Sequence, residues 1–256
     1  MKIKIALRNL YISQAIIFVF LIFAYFSWFP HSFTQLGGFY KTAWMLIFVD
    51  LVLGPLLVFL VYKENKKYLK FDINVLLSIQ LIAFIFGAYS LFLKHPAYAV
   101  FSIDRFVLTN VSNIYPRPSW SEQLNSYFFS SPNFVVANLP KEIKEHNDLM
   151  LDVVFKGQPD IDSRPKYFTP LNQHAKTVME KGINIYHLIS NNQAEQKLRM
   201  FSKKHNGNID DYAYFPMSGN NKKDVIWAFD RKTAKPVGII DINPWKLKVA
   251  LNLEKK

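Results

Sequence analysis

Three long apolar runs dominate the first part of the chain. They span residues 10–29, 42–62 and 73–93. A helix rises ~1.5 Å per residue, so each run as a helix would span about 30 Å, the thickness of a bilayer's hydrocarbon core. The pattern therefore predicts three transmembrane helices within a membrane domain of residues 1–94.

The pattern changes after residue 94, because residues 95–256 alternate short apolar stretches with polar turns. This predicts a soluble α+β domain, and a five-residue loop between the last two strands favours a largely antiparallel sheet. The predicted strands are Tyr98–Leu108, Leu149–Phe155, Ile183–Ile189, Tyr212–Met217, Asp224–Asp230 and Pro236–Ile242. The predicted helices are Asn138–Asp148, Leu171–Lys181 and Asn191–Lys204, and residues 110–133 and 157–170 are predicted to be irregular loops.

The middle apolar run carries an acidic residue, Asp50, near its centre, followed by Gly54 and Pro55. Asp50 and Gly54 share a helix face, and Pro55 leaves the carbonyl of Leu51 without its helical partner. A carboxyl group near the middle of a bilayer costs ~2.5–3.5 kcal/mol on insertion scales, so it needs either a function or a bonded partner. The functional interpretation is a partner-binding notch of Asp50, Gly54 and Pro55. In the structural alternative, Asp50 bonds within the bundle to Ser13, Gln14, Asn74 or Gln80.

A second candidate site lies in the predicted strand Tyr98–Leu108, where Asp104 and Arg105 are consecutive. Neighbouring strand residues point to opposite faces of a sheet, so one of the two would face the core and need a partner. Two interpretations remain open: an ion pair or backbone bond that fixes the strand to the membrane-proximal loops, and a binding role.

The distribution of Lys and Arg predicts the orientation. The N-terminus carries Lys2, Lys4 and Arg8, the segment 63–72 carries four lysines, and the segment 30–41 carries only Lys41. Positive segments stay in the cytoplasm, so the N-terminus is expected there and the C-terminal domain in the periplasm of a bacterium. This topology accounts for the net charge of +12 without a nucleic-acid partner, and no nucleic-acid-binding module is recognisable.

Candidate chemistry is sparse. The chain has no cysteine, which excludes disulfides and thiolate metal sites, and its six histidines lack metal-ligand spacing. No nucleophile elbow, phosphate-binding loop or dinucleotide fingerprint is present. Asp160 and Asp162 form a D-x-D pair, but such pairs often arise by chance in polar loops. The sequence therefore predicts no catalytic residue, no metal and no cofactor.

Four motifs follow one another along the chain: VDLVLGPLL (49–57), YKENKKYLKFDINVL (62–76), IQLIAFIFGAYSLF (79–92) and AVFSIDRF (99–106). In this order they resemble the TfpX/TfpZ family of type IV pilin accessory proteins, over residues 42–108. That family has an Asp-x-x-Leu-Gly-Pro helix, a Lys-Lys-x-Leu-x-Phe-Asp loop and a Val-Phe-x-x-Asp-Arg-Phe strand. The matching residues are Asp50, Leu53, Gly54 and Pro55; Lys66, Lys67, Leu69, Phe71 and Asp72; and Val100, Phe101, Asp104, Arg105 and Phe106.

The resemblance implies a non-enzymatic accessory protein or chaperone of the bacterial inner membrane that helps a type IV pilin accumulate or assemble. Its partners would be the lipid bilayer and the pilin, met through the pilin's apolar membrane helix and also its globular head. The predicted binding residues are Asp50, Gly54, Pro55, Asp104 and Arg105. The alternative is a membrane-anchored transferase that modifies pilin or a surface glycan, which would need convergent acids, a base or a metal in residues 95–256.

Overall fold

The computed structural model describes residues 2–30, 32–61, 69–184, 188, 191–219 and 224–246. Within these ranges, side chains are described except at residues 2–10, 53–61, 69–70, 72–73 and 246. The described chain is a bundle of long helices that continues directly into a mixed β-sheet with helices packed against it.

The bundle consists of three long helices, with α3 contacting both of the others. A one-turn helix, α2, connects α1 to α3 and points away from the bundle into the sheet. The large side chains on the outer surface of the bundle are mostly apolar and exposed. The helices are α1 (Lys2–Ser27), α2 (Phe33–Leu36), α3 (Phe39–Val61) and α4 (Leu69–Lys94).

The predicted fold class, three transmembrane helices followed by a largely antiparallel sheet, was wrong. Within the described residues, one helix is long and apolar enough to cross a membrane, Asn74–Lys94. Among the side chains described in α1, the apolar part is Tyr11–Ser27, which is shorter than the ~20 residues that a span needs. The second predicted span, 42–62, continues beyond residue 52, where the described side chains of α3 end.

The sheet is mixed and has seven strands in the described part of the chain, in the order β4-β3-β1-β2-β5-β6-β7. Two of its pairs, β1 with β3 and β2 with β5, are parallel, and the other pairs are antiparallel. The strands are β1 (Pro96–Ser102), β2 (Arg105–Asn110), β3 (Asn133–Ala137), β4 (Phe168–Pro170), β5 (Tyr212–Ser218), β6 (Asp224–Asp230) and β7 (Pro236–Ile240).

The parallel pair β1–β3 depends on a long crossover, as parallel strands require. The crossover lies in the segment predicted to be an irregular loop, 110–133, and that prediction was wrong because the segment contains the helix α5 (Trp120–Tyr127). Ser119 and Glu122 form a capping box at the start of α5, so the Ser-x-x-Glu signal was present in the sequence.

The predicted single strand Tyr98–Leu108 is a β-hairpin instead. The chain reverses at Ile103 and Asp104, and Ile103 has a φ of +60°. A positive φ is unusual for a β-branched residue, which is why the sequence carries no turn signature here.

The predicted strand Leu149–Phe155 was also wrong, because these residues belong to the helix α6 (Ile143–Lys156). Leu149 and Val153 are four residues apart and pack on one cluster with Ile161, so helical spacing prevails over the β-propensity of the run. The predicted helix Asn138–Asp148 overlaps the first turns of α6.

The predictions for residues 191–240 were largely confirmed, whereas the predicted loop 157–170 contains the short strand β4. Strands β5, β6 and β7 form where predicted, and α8 (Asn192–Lys204) begins at Asn191, whose side chain accepts hydrogen bonds from two backbone N–H groups. The predicted helix Leu171–Lys181 corresponds to a 3-10 turn followed by α7 (Ala175–Glu180). The predicted strand Ile183–Ile189 lies partly outside the described residues.

The central strands are covered on both faces. Ala213, Phe215 and Met217 of β5 face a core shared with α7, whereas Tyr212 and Tyr214 face a core shared with α8. This alternation is the period-2 pattern of a strand buried on both sides.

The helix bundle and the sheet share a continuous core. Phe33 of α2 packs edge-to-face on Trp227 of β6, with ring centroids 5.1 Å apart. His95, which connects α4 to β1, is fully buried against Trp28 and Phe92. The sheet is therefore held against one end of the bundle.

Candidate functional site

Asp50 is bonded to α1. Its Oδ2 atom accepts a hydrogen bond from Ser13 Oγ at 2.6 Å and another from Gln14 Nε2 at 2.8 Å. Two of the partners named in the structural alternative are therefore the partners that Asp50 has. Hydrogen bonds to a charged group each contribute ~1.5–3 kcal/mol, so this cluster stabilises the contact between α1 and α3.

Gln80 of α4 lies beside this cluster with an unused donor. Its Nε2 atom is buried and has no hydrogen-bond partner among the described residues. A buried donor without an acceptor costs about 1–3 kcal/mol, and most buried donors in proteins have a partner. The amide of Gln80 is therefore a polar group in need of an acceptor.

Two cavities meet at Asp50 and Gln80. The larger, about 300 Å³, runs between α1 and α4. In its described lining, α3 contributes Asp50. The smaller, about 180 Å³, lies between α3 and α4. We call the larger cavity the α1–α4 groove. Its lining residues are Ile12, Ser13, Ile16, Ile17, Asp50, Leu77, Gln80, Leu81 and Phe84.

The sequence places Gln80 in the groove through helical spacing. Leu77, Gln80, Leu81 and Phe84 are separated by three, one and three residues, so they share the face of α4 that is turned toward α1. The groove is thus an apolar trough with one carboxylate and one amide at its centre.

Gly87 of α4 and Leu46 of α3 pack closely beside the smaller cavity. A Cβ atom added to Gly87 would lie 2.5 Å from Leu46 Cδ1, so a larger residue there would require the Leu46 side chain to shift. This small residue brings two helices of the bundle together.

Gly54 and Pro55, the other two residues of the predicted notch, lie further along α3. Their side chains are outside the described residues.

Asp104 and Arg105 lie far from this site, at the end of the hairpin that points away from the bundle. Arg105 Nε donates to Asp104 Oδ1 at 2.7 Å, and Arg105 Nη2 donates to Asp104 Oδ2 at 3.2 Å. The Arg105 guanidinium also stacks on Trp245, 4.4 Å from the ring centroid. The two residues therefore pair with each other rather than with the membrane-proximal loops, and Asp104 lies in the turn rather than on a sheet face.

The D-x-D pair serves the local fold. Asp160 Oδ1 accepts from the backbone N–H of Ile161 at 2.6 Å, and Asp162 Oδ1 accepts from Ser163 Oγ at 3.1 Å. Burial raises the pKa of the Asp162 carboxyl. Within the part of the chain that the structure describes, no three His, Asp or Glu side chains come together in a way that could hold a metal ion.

His95 is a buried polar group that sequence reasoning did not single out. Its Nε2 lies 3.3 Å from the carbonyl oxygen of Ser130, whereas its Nδ1 has no partner in the described part of the chain. Burial among aromatic rings lowers its pKa to about 4, so the ring is neutral. Its position after an apolar run gave no signal, because buried and exposed histidines look alike in a sequence.

Comparison with known proteins finds similar chains among fimbrial assembly proteins of Dichelobacter nodosus. The protein of serogroup I is 22% identical over 213 residues, which cover 81% of this chain and 82% of the relative. The protein of serogroup E1 is 21% identical over 213 residues, with the same coverage. The protein of serogroups C1 and C2 is 30% identical over 92 residues, which cover 35% of this chain and 70% of the relative. No family model matches the chain, and no solved structure is significantly similar to it.

Proposed function

This chain belongs to the family of fimbrial assembly proteins, and from that membership we propose that it is an accessory protein or chaperone for a type IV pilin. In this proposal the protein performs no catalysis. It holds the apolar membrane helix of the pilin in the α1–α4 groove until the subunit is assembled.

The observation that carries the proposal is Gln80 Nε2, a donor that has no partner among the described residues. A donor buried between apolar side chains is costly in lipid, where no water can replace the missing acceptor. A second helix lying in the groove would bring an acceptor to Gln80 Nε2 and remove this cost. Apolar packing alone would not select one helix over another, because lipid tails are as apolar as leucine.

The polar pair also defines the chemistry of the helix that fits. Gln80 Nε2 requires an acceptor, because it has no hydrogen-bond partner among the described residues. A carboxylate on the partner would be repelled by Asp50. The fitting group is therefore a neutral acceptor: a hydroxyl, an amide or a protonated carboxyl.

The α4 helix supports a membrane location. Its segment Asn74–Lys94 is the candidate membrane span, and it ends at a lysine suited to the lipid–water boundary. We propose that the protein resides in the bacterial inner membrane, with the N-terminus in the cytoplasm and the sheet in the periplasm. The α1–α4 groove would then open toward lipid, where a pilin helix can reach it.

Replacement of Gln80 tests this function. In Gln80→Leu the acceptor-seeking amide is lost, so we expect tagged protein purified in mild detergent to carry much less pilin while accumulating normally. The matched control is Ser78→Leu, because Ser78 Oγ bonds within its own helix to Asn74 O at 2.9 Å and does not line the groove. Equal pilin recovery from Gln80→Leu and wild type would refute the proposed site.

A further inference from the structure

The segment after β2 turns back along the outer ends of the bundle helices. Trp28, the residue after α1, donates from Nε1 to the carbonyl oxygen of Phe128 at 2.6 Å, and Ser131 Oγ donates to the carbonyl oxygen of Ser27, the last residue of α1, at 3.2 Å. At the other end of the segment, Trp120 packs edge-to-face on Tyr89 of α4, with ring centroids 4.9 Å apart. Three contacts with two helices therefore fix this segment against the bundle.

These contacts place the segment alongside the last turns of α1 and α4 rather than beyond the ends of these helices. Tyr89 comes five residues before Lys94, which corresponds to about 7 Å along the axis of α4. The ring of Phe129 lies 6.2 Å from the ring of Phe23, which comes four residues before the end of α1, or about 6 Å along its axis. The segment thus reaches the level of the apolar helix surface.

Two aromatic rings at this level point outward. Trp120 is 54% exposed and Phe129 is 82% exposed, whereas Gln123 and Tyr127 face inward and are buried. The same level carries Tyr40 and Trp44 of α3, which are also exposed. Rings of Trp and Tyr concentrate at membrane–water interfaces, where one end is apolar and the other is wet.

We propose that α5 together with Phe128 and Phe129 is an interfacial element that lies in the periplasmic leaflet of the membrane, at the boundary between headgroups and acyl chains. This inference rests on the proposed membrane location of α4. Lipid is the partner because the exposed rings are continuous with the candidate span and lie within its length. The sheet domain would then contact the periplasmic surface of the membrane in one orientation, and the α1–α4 groove would lie within the bilayer.

The test uses the absence of cysteine from the chain. Single variants Phe129→Cys and Trp120→Cys are labelled with an environment-sensitive fluorophore, and the full-length protein is placed in phospholipid nanodiscs that contain lipids with a shallow nitroxide quencher. Phe155→Cys is the matched control, because Phe155 is 79% exposed but lies on α6, away from the segment. Ile82→Cys lies about 18 Å before the end of the candidate span, so it is measured in nanodiscs whose nitroxide lies deep in the acyl chains, and it reports whether α4 is in the bilayer.

We expect strong quenching at Phe129 and Trp120, with blue-shifted emission, and little quenching at Phe155. Quenching at Ile82 without stronger quenching at Phe129 and Trp120 than at Phe155 would overturn the interfacial element and leave the anchor intact. Absence of quenching at Ile82 would overturn the membrane location of α4 and this inference with it. Neither result bears on Gln80, whose variant is measured by pilin recovery.

Discussion

Two carboxylates of this molecule, Asp50 and Asp104, make hydrogen bonds of similar length in opposite settings. Asp50 joins helices through donors that lie 36 and 37 residues away in the chain, inside an apolar bundle. Asp104 accepts hydrogen bonds from its immediate neighbour Arg105 at the end of a hairpin, where the side chains of Arg105 and Asp104 are 39% and 25% exposed. The contribution of a hydrogen bond to stability therefore depends on its surroundings and not on its length alone.

The two sites differ because water reaches the hairpin but not the interior of the bundle. At the hairpin, water replaces a lost bond at little cost, and surface ion pairs contribute about 0–1 kcal/mol. In the bundle, water cannot take the place of a lost acceptor, so the loss of a bond such as that of Gln14 Nε2 is not compensated by solvent. We therefore expect Asp50 to control stability and Gln80 to control binding, while Asp104 and Arg105 make only small contributions.

Asp50→Leu should have the largest effect on stability. It removes the acceptor of Gln14 Nε2 and one hydrogen bond of Ser13 Oγ, so we expect the free energy of unfolding to fall by roughly 2–6 kcal/mol, at about 1–3 kcal/mol for each of the two lost bonds. Asp50→Asn keeps an acceptor oxygen and should lose less. Thermal unfolding of the purified protein in detergent checks both values, and a melting temperature of Asp50→Leu equal to wild type would contradict this account of the bundle.

The junction between bundle and sheet should respond to acid through His95. Burial against Trp28, Phe29 and Phe92 lowers its pKa from 6.5 to about 4, so the unfolded chain binds the proton more readily than the folded one. Stability should fall as pH drops from 6.5 toward 4, by roughly 3 kcal/mol at ~1.36 kcal/mol per pH unit, and this contribution should level off below that window.

The His95 prediction is checked by unfolding measurements across that pH range. His95→Phe should remove much of the slope, whereas His146→Phe, at a position on α6 without a buried aromatic environment, should keep it. An unchanged slope in His95→Phe would show that other groups carry the acid sensitivity.

Gly87→Ala should disturb the contact of α3 with α4 by a smaller amount. The added methyl would lie 2.5 Å from Leu46 Cδ1, and overpacking of this kind costs about 1–3 kcal/mol. Leu46→Ala in the same chain should restore part of the loss, and a double-mutant cycle without coupling would argue against the close approach.

Asp104→Ala and Arg105→Ala should have the smallest effects. We expect less than about 1 kcal/mol for Asp104→Ala, and slightly more for Arg105→Ala because the guanidinium also stacks on Trp245. A loss at Asp104 as large as that of Asp50→Leu, measured in the same unfolding experiment, would remove the contrast between the two sites.

How far the sequence predicts this fold depends on whether local signals agree. Strands β5 to β7 alternate or remain apolar between clear turns, and Asn191 is a strong helix cap, so these elements were predictable. The hairpin at Ile103 was not, because a β-branched residue with positive φ carries no turn signal. The parallel pairs depend on contacts between distant segments, which no local pattern encodes.

The candidate site was predictable only in part. An acidic residue in an apolar run singled out Asp50, and Ser13 and Gln14 were among its few polar candidates. Nothing in the sequence shows that Gln80 remains without an acceptor, because that depends on how far α1 and α4 stand apart. The exposed surface of the bundle likewise becomes visible only once the helices are packed.

Site-specific photo-crosslinking tests the central claim, that a pilin helix lies in the α1–α4 groove, most directly. A photoreactive phenylalanine analogue is placed at Leu81, inside the groove, or at Ile82, its neighbour on the outer face; the native side chains are 57% and 67% exposed. In cells that express the type IV pilin of the same bacterium, the account predicts a pilin adduct from Leu81 and little from Ile82. Equal adducts from both positions, or none from Leu81 in a protein that accumulates normally, would contradict it.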